Sequence, residues 1–285
     1  METEKRAPQK YLILSSFWIK IIALILMTLD HVALFFLSAN EPSYQVLRSL
    51  GRLAFPLYAF LMVEGVFKSH NAFRYGGRLL ILGAVTDLAL FLIEYFGMHV
   101  SLAEAYPGNS LTELGLGVFM LAFFEMKGAF KLLGLIPLAL MVLSDFPSFF
   151  PLRFEYGTYG ALIFLGFYFS KYLTDYYEGI YASRANSSRE AFYDVNGRLM
   201  RNLISAASLL IVDLLMLFFY MLYGQSFFLF VRFGVPFAME QYSALAGVII
   251  FFYNASQGYH AKWFRIANYL YYPLHMAVMG AVALF

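Results

Sequence analysis

Cysteine does not occur in this 285-residue sequence. Disulfides, thiol nucleophiles and Cys-ligated metals are therefore excluded, and the redox compartment leaves no trace. Charge is scarce: Asp, Glu, Lys and Arg supply 13% of the residues, against about 25% in a soluble domain. The net charge of +2 is too small to point to nucleic acid. Internal repeats and low-complexity tracts are missing too. The opening "METEKRAPQKYLILSSFW" sets basic residues before an apolar run, as a secretory leader does. That run continues far beyond a short apolar core and lacks a small-residue cleavage pattern, so it reads as a first, retained span.

Apolar residues are abundant, at 61% hydrophobic and 20% aromatic. A bilayer span needs ~20 mostly apolar residues, and runs of this kind recur between polar or Gly/Pro-rich breaks. They predict an all-α, polytopic membrane helix bundle of about nine transmembrane helices in one domain, 1–285. The segments are Phe17–Ser38, Leu47–Phe67, Gly76–Phe96, Leu111–Met126, Phe130–Leu143, Tyr156–Tyr172, Leu203–Tyr223, Gln241–Tyr253 and Phe264–Phe285. The fifth and eighth are short, as expected of a tilted or re-entrant helix. "QSFFLFVRFGVPF" is a candidate to dip into the membrane without crossing.

Lys and Arg distribute as the positive-inside rule requires for an N-in, C-out chain. Every segment on the inner side carries them, and only Arg48, Arg52, Arg153 and Arg232 of the 20 fall outside. The polar stretch 173–201 becomes a cytoplasmic loop, a mixed surface helix or flexible connector.

Ionisable residues within spans are costly in hydrocarbon and are candidates for function by default. Here they are Asp30, His31, Arg52, Glu64, Asp87, Glu113, Asp213 and His275. A buried structural ion pair is the plain alternative for Arg52 and the acids. It explains Asp30 and His31 less well, because histidine takes and returns a proton near neutral pH. Neighbours on a helix point about 100° apart, so Asp30 is not thereby the partner of His31. Lys20 and His31, eleven residues apart, return to nearly one face, ~16 Å apart along the axis. A phosphate held at Lys20, with a thin arm rising along the helix, brings its far end to His31. Coenzyme A has that shape.

"KIIALILMTLDH", "GRLAFPLYAFLMVEGVFKSHN", "RYGGRLLILGAVTDLALF", "NSLTELGLG", "FEYGTYG", "FFYNASQG" and "YLYYPLHM" together resemble the TraX family, named for a conjugative-pilin acetylase. The matches keep the family's order from the first span to the last. The family is similar to the larger group of transmembrane acyltransferases, many of which carry an Arg ten intervening residues before a catalytic His. Lys20 stands in that Arg's place here. Lys still neutralises a phosphate as a point charge but loses the bidentate fork.

The resemblance implies a bacterial cytoplasmic-membrane acyltransferase. It would move an acetyl or other short acyl group from cytoplasmic acyl-CoA to an amine or hydroxyl. A pilin, another peptide, a glycan and a lipid are all open as acceptor. His31 is implied as general base, with Asp30 tuning or orienting the site. Lys20, Arg74 and Arg78 are expected to receive the phosphates of coenzyme A. Arg52 is expected to hold the thioester oxygen or an acceptor carboxylate, and Glu64 and Asp87 to support the site. Asn109 and Thr112, Glu155 and Tyr156, Tyr253 and Asn254, and Tyr272 and His275 match further family motifs. "YPLH" reads as a kinking proline with either a structural or a catalytic His275. No metal is predicted.

No Ser-His-Asp constellation is evident and Cys is unavailable, which favours direct base-assisted transfer in a ternary complex. A proton-coupled transporter is the rival from another class, but it predicts inverted repeats and paired broken helices that the sequence lacks. A non-catalytic scaffold of a secretion or conjugation assembly has no need of Lys20 and His31 on one face.

Overall fold

The structure, a computed structural model, describes residues 11–92, 95, 109–146, 154–184, 197–223 and 241–283. Several residues of the charge and span reading lie outside them: the basic residues Lys5, Arg6, Lys10, Arg153 and Arg189, and the stretch 225–237 with Arg232. The described chain is all-helical, its single β-bridge joining Leu14 to Tyr253.

The first helix, α1 (Ser16–Phe36), has 21 residues and so rises ~31 Å, the thickness of a hydrocarbon core. α2 (Pro42–Gly51) and α3 (Ala54–Lys68) occupy what the sequence predicts as one span. The break at Arg52–Leu53 has a local cause. Pro56 has no N–H to give the Arg52 carbonyl, and its ring crowds that carbonyl, so the helix must restart. α4 (Ala72–Leu92), α5 (Ser110–Phe124), α6 (Leu135–Leu143), α7 (Gly157–Arg184), α8 (Arg198–Tyr223), α9 (Ala246–Phe251) and α10 (Lys262–Ala283) follow.

Ser16–Phe36, Pro42–Lys68 and Arg198–Leu222 are both long and apolar enough to cross a membrane. The two segments expected to be short begin as 3-10 turns, Gly128–Gly134 and Gln241–Leu245, before α6 and α9. With 9 and 6 residues, α6 and α9 rise only ~14 and ~9 Å and cannot cross alone. The stretch 173–201 is not a loop throughout. α7 runs on to Arg184 and α8 begins at Arg198, which carries helix into both ends of that stretch.

The bundle exposes apolar side chains and buries charged ones beside its apolar core. Ile81, Ile211 and Val278 are more than 60% exposed, whereas Asp30, Arg48, Arg52, Glu113 and Asp213 are buried. Such a surface suits lipid, where the bundle interior is the only place for charge. α3 is the central helix, buried on nearly all faces from Ala54 to Val66.

The N-terminal segment is tied down by the "FFYNASQG" turn. Leu14 N–H donates to the Phe252 carbonyl at 2.9 Å, and Asn254 N–H to the Leu14 carbonyl at 2.8 Å. Asn254 Oδ1 accepts from Ser256 N–H at 2.9 Å and from its hydroxyl at 2.7 Å, closing the turn.

Candidate active site

Helices α1, α3, α4, α5 and α10 each turn side chains toward a common cavity of about 810 Å³, with Gly51 at the end of α2. On α1 these are Ser16, Lys20, Met27 and His31, spaced four, seven and four residues apart, as one helical face requires. Arg74, Tyr75 and Arg78 repeat the pattern on α4, and Arg265, Tyr269 and Tyr272 on α10. α3 contributes Tyr58, Met62 and Glu64, and the segment before α7 contributes Glu155 and Tyr156. Lys20, His31, Arg74 and Arg78, read separately from the sequence, thus meet around a single space.

Its two ends differ in chemistry. Around the end of α1 that carries Lys20, the lining includes Lys68, His70, Arg74, Arg78, His260 and Arg265. Arg265 lies close enough to Lys20 for their charges to repel. Among the described residues, no carboxylate pairs with Lys20, Arg74, Arg78 or Arg265. Like charges gathered without counter-ions make a site for a polyanion. Arg265 and Lys68 were not singled out from the sequence. The usable signals were the i, i+4, i+7 row Arg265–Tyr269–Tyr272 and the i, i+4 pair Glu64–Lys68.

At the other end, Asp30 is held by two guanidinium groups. Its Oδ2 accepts from Arg48 and, at 2.7 Å, from Arg52 Nη2. Arg52 Nη1 also reaches Glu155 at 3.4 Å, and its guanidinium sits 5.7 Å over the Tyr156 ring. Its sequence position puts Arg48 at the outer end of the second predicted span. It is instead among the most buried side chains, because the break before α3 keeps α2 packed on α1. Gly51 permits this approach: a Cβ there would collide with the Asp30 side chain.

His31 bonds to neither acid. Its Nδ1 lies 2.8 Å from His275 Nε2, and His275 Nδ1 lies 2.7 Å from the Tyr271 carbonyl oxygen. Tyr272 sets its ring edge-on to His31, with centroids 6.0 Å apart.

The remaining candidates divide between wall and scaffold. Glu64 faces the cavity but is bound by Arg198 at 3.0 Å, Arg201 at 3.3 Å and Lys68 at 3.5 Å. The Lys68 ammonium and the Arg198 guanidinium both approach the Tyr253 ring, 5.8 and 4.4 Å from its centre. Asp87, Asn109 and Thr112 do not line the cavity. Asn109 caps α5 by accepting from Thr112 N–H at 3.0 Å. Its amide donates to Asp87 at 2.7 Å, and the Thr112 hydroxyl donates there at 3.0 Å. The three clasp α4 to α5. Asn254 likewise belongs to its turn and not to the cavity wall. Asp213 accepts from Tyr159 at 2.5 Å and from Ser243 at 2.8 Å, joining α7, α8 and the turn before α9. In "FEYGTYG", Gly157 takes φ +52°, which side chains disfavour, and a Cβ there would strike Asp145. Asp145 accepts from Thr158 N–H at 2.8 Å at the start of α7, an acid at the helix's positive end.

A family model described as "TraX protein" matches residues 15–181. A protein of Dichelobacter nodosus described as "Probable fimbrial assembly protein FimC, serogroup H1" is 49% identical over 73 residues, 26% of this chain. The match covers 30% of that relative's length. No solved structure matches.

Proposed function

The chain belongs to the TraX family, whose model spans more than half of it, and on that premise we propose that it is an acyl-CoA-dependent transmembrane acyltransferase. The observation that carries the reading is one cavity lined both by Lys20, Arg74, Arg78 and Arg265, which pair with no carboxylate among the described residues, and by His31. The bilayer is the bacterial cytoplasmic membrane, entered N-in and left C-out, so that Lys20, Ser69 and His260 lie at the cytoplasmic face.

Lys20, Arg74 and Arg78, joined by Lys68 and Arg265, hold the phosphates of the coenzyme. Its arm runs along α1 for the ~16 Å that separate Lys20 from His31. His31 takes the proton of the acceptor amine or hydroxyl as that atom attacks the thioester carbonyl. The carbonyl electrons move to oxygen, where the Arg52 guanidinium offers positive charge. Collapse breaks the C–S bond, and the departing thiolate recovers the proton from His31. Acyl group, proton and electron pair are then all accounted for, with no covalent enzyme intermediate. The donor is acetyl-CoA. The D. nodosus relative's description as a probable fimbrial assembly protein supports a pilin-type subunit as acceptor.

The test follows labelled acetyl from acetyl-CoA to pilin with purified protein, alongside coenzyme A affinity. His31→Ala is expected to abolish transfer and leave folding and coenzyme affinity intact. Normal transfer by His31→Ala would remove this mechanism.

A further inference from the structure

A neutral imidazole has one N–H and one bare nitrogen, so a base must be held with the correct nitrogen bare. For His31 the structure supplies a chain of bonds that makes the choice. A backbone carbonyl can only accept. The 2.7 Å contact between His275 Nδ1 and the Tyr271 oxygen therefore puts the His275 proton on Nδ1. That leaves His275 Nε2 as an acceptor, and the 2.8 Å contact with His31 Nδ1 requires the His31 proton on Nδ1. The bare nitrogen of His31 is then Nε2.

We infer that His275 is the positioning residue of the reaction, a neutral histidine that fixes the tautomer and ring orientation of His31 and leaves Nε2 as the base. The assignment rests on the acyltransferase reading. Aspartate, the usual partner for such a task, is close by in sequence but committed elsewhere, since Asp30 Oδ2 binds Arg48 and Arg52. A neutral acceptor also suits the bilayer interior, because it brings no second charge needing its own counter-ion.

The surroundings hold His275 in this role. Its ring stacks on Tyr271, with centroids 5.0 Å apart and planes at 18°, and the Tyr271 hydroxyl bonds to Thr28 on α1 at 2.6 Å. α10 is thereby keyed to α1 one turn before His31. Pro273, inside α10, has no N–H for the Tyr269 carbonyl and so loosens the turn that carries Tyr271. The stretch "YYPLH", Tyr271–His275, is in this sense one device: a loosened turn, an accepting carbonyl and the histidine that reads it.

The chain has five histidines, so 15N-histidine spectra resolve the question without turnover. The His31 signals, identified by their loss in His31→Ala, are expected to show the proton on Nδ1 in the wild-type protein. In His275→Ala they are expected to shift to the Nε2-protonated or averaged form. Acetyl transfer should fall by about 10²-fold in kcat, the lower end of what a positioned base contributes, with KM for acetyl-CoA unchanged. His275→Gln, which keeps an acceptor opposite His31, should retain the wild-type tautomer and recover part of the rate. A wild-type His31 bare at Nδ1 overturns the assignment even if neither variant folds, as does an unchanged His31 tautomer in folded His275→Ala. The expected tautomers in a protein that transfers no acetyl would support the positioning role and defeat the acyltransferase reading alone.

Discussion

Arg52 donates to Asp30 at 2.7 Å from a position 22 residues further along the chain. This contact joins the turn that breaks α2 from α3 to the deep half of α1, beside His31. Asp30 is thereby an anchor for two cations, and in the proposed reaction it would act through where it holds Arg52.

Removing that anchor's charge should be costly. Asp30→Asn leaves the Arg48 and Arg52 guanidinium groups buried without their shared counter-ion. Losing one partner of a buried pair costs about 3–5 kcal/mol. The melting temperature in detergent is expected to fall along with turnover. A variant with wild-type stability and no turnover would instead assign Asp30 a direct part in proton transfer.

The cationic end of the cavity makes a separate prediction. Lys20→Glu puts an anion among Arg74, Arg78 and Arg265 and is expected to weaken coenzyme A binding at least tenfold, read by calorimetry. Lys20→Arg preserves the charge and should bind nearly as the wild type does. Unchanged affinity in Lys20→Glu would move the phosphates elsewhere.

The clasp between α4 and α5 should register as stability and not as chemistry. Asn109→Ala removes the α5 cap and a bond to Asp87, and losing such a cap costs about 1–2 kcal/mol. Thermal unfolding should shift, while coenzyme affinity and turnover well below the transition stay as they were. A variant of unchanged stability with impaired turnover would return Asn109 to the site.

Membrane orientation can be read chemically because the chain has no cysteine of its own. Ser69→Cys, between α3 and α4, should react only with reagents that reach the cytoplasm. Asn40→Cys, between α1 and α2, should react with impermeant reagents in intact cells. The reverse pattern would invert the bundle.

Composition and hydropathy alone determine that the chain is a helical membrane protein, because burying so few charges in so much apolar sequence leaves little else possible. Helical periodicity within α1 also suffices to put Lys20 and His31 on one face, since that relation is local. Pairings between distant helices are another matter. Arg48 reads as an outer-side charge because hydropathy does not register that Pro56 breaks the span while Gly51 lets α2 press onto Asp30. Asp87 and Asn109 looked like site residues because a buried acid and a polar motif read alike whether they face a cavity or each other. His275 became the partner of His31 only through the packing of α10 on α1, which sets two rings 244 residues apart within a hydrogen bond. Those contacts depend on the relative rotation and depth of whole helices, which side chains from every part of the chain decide together.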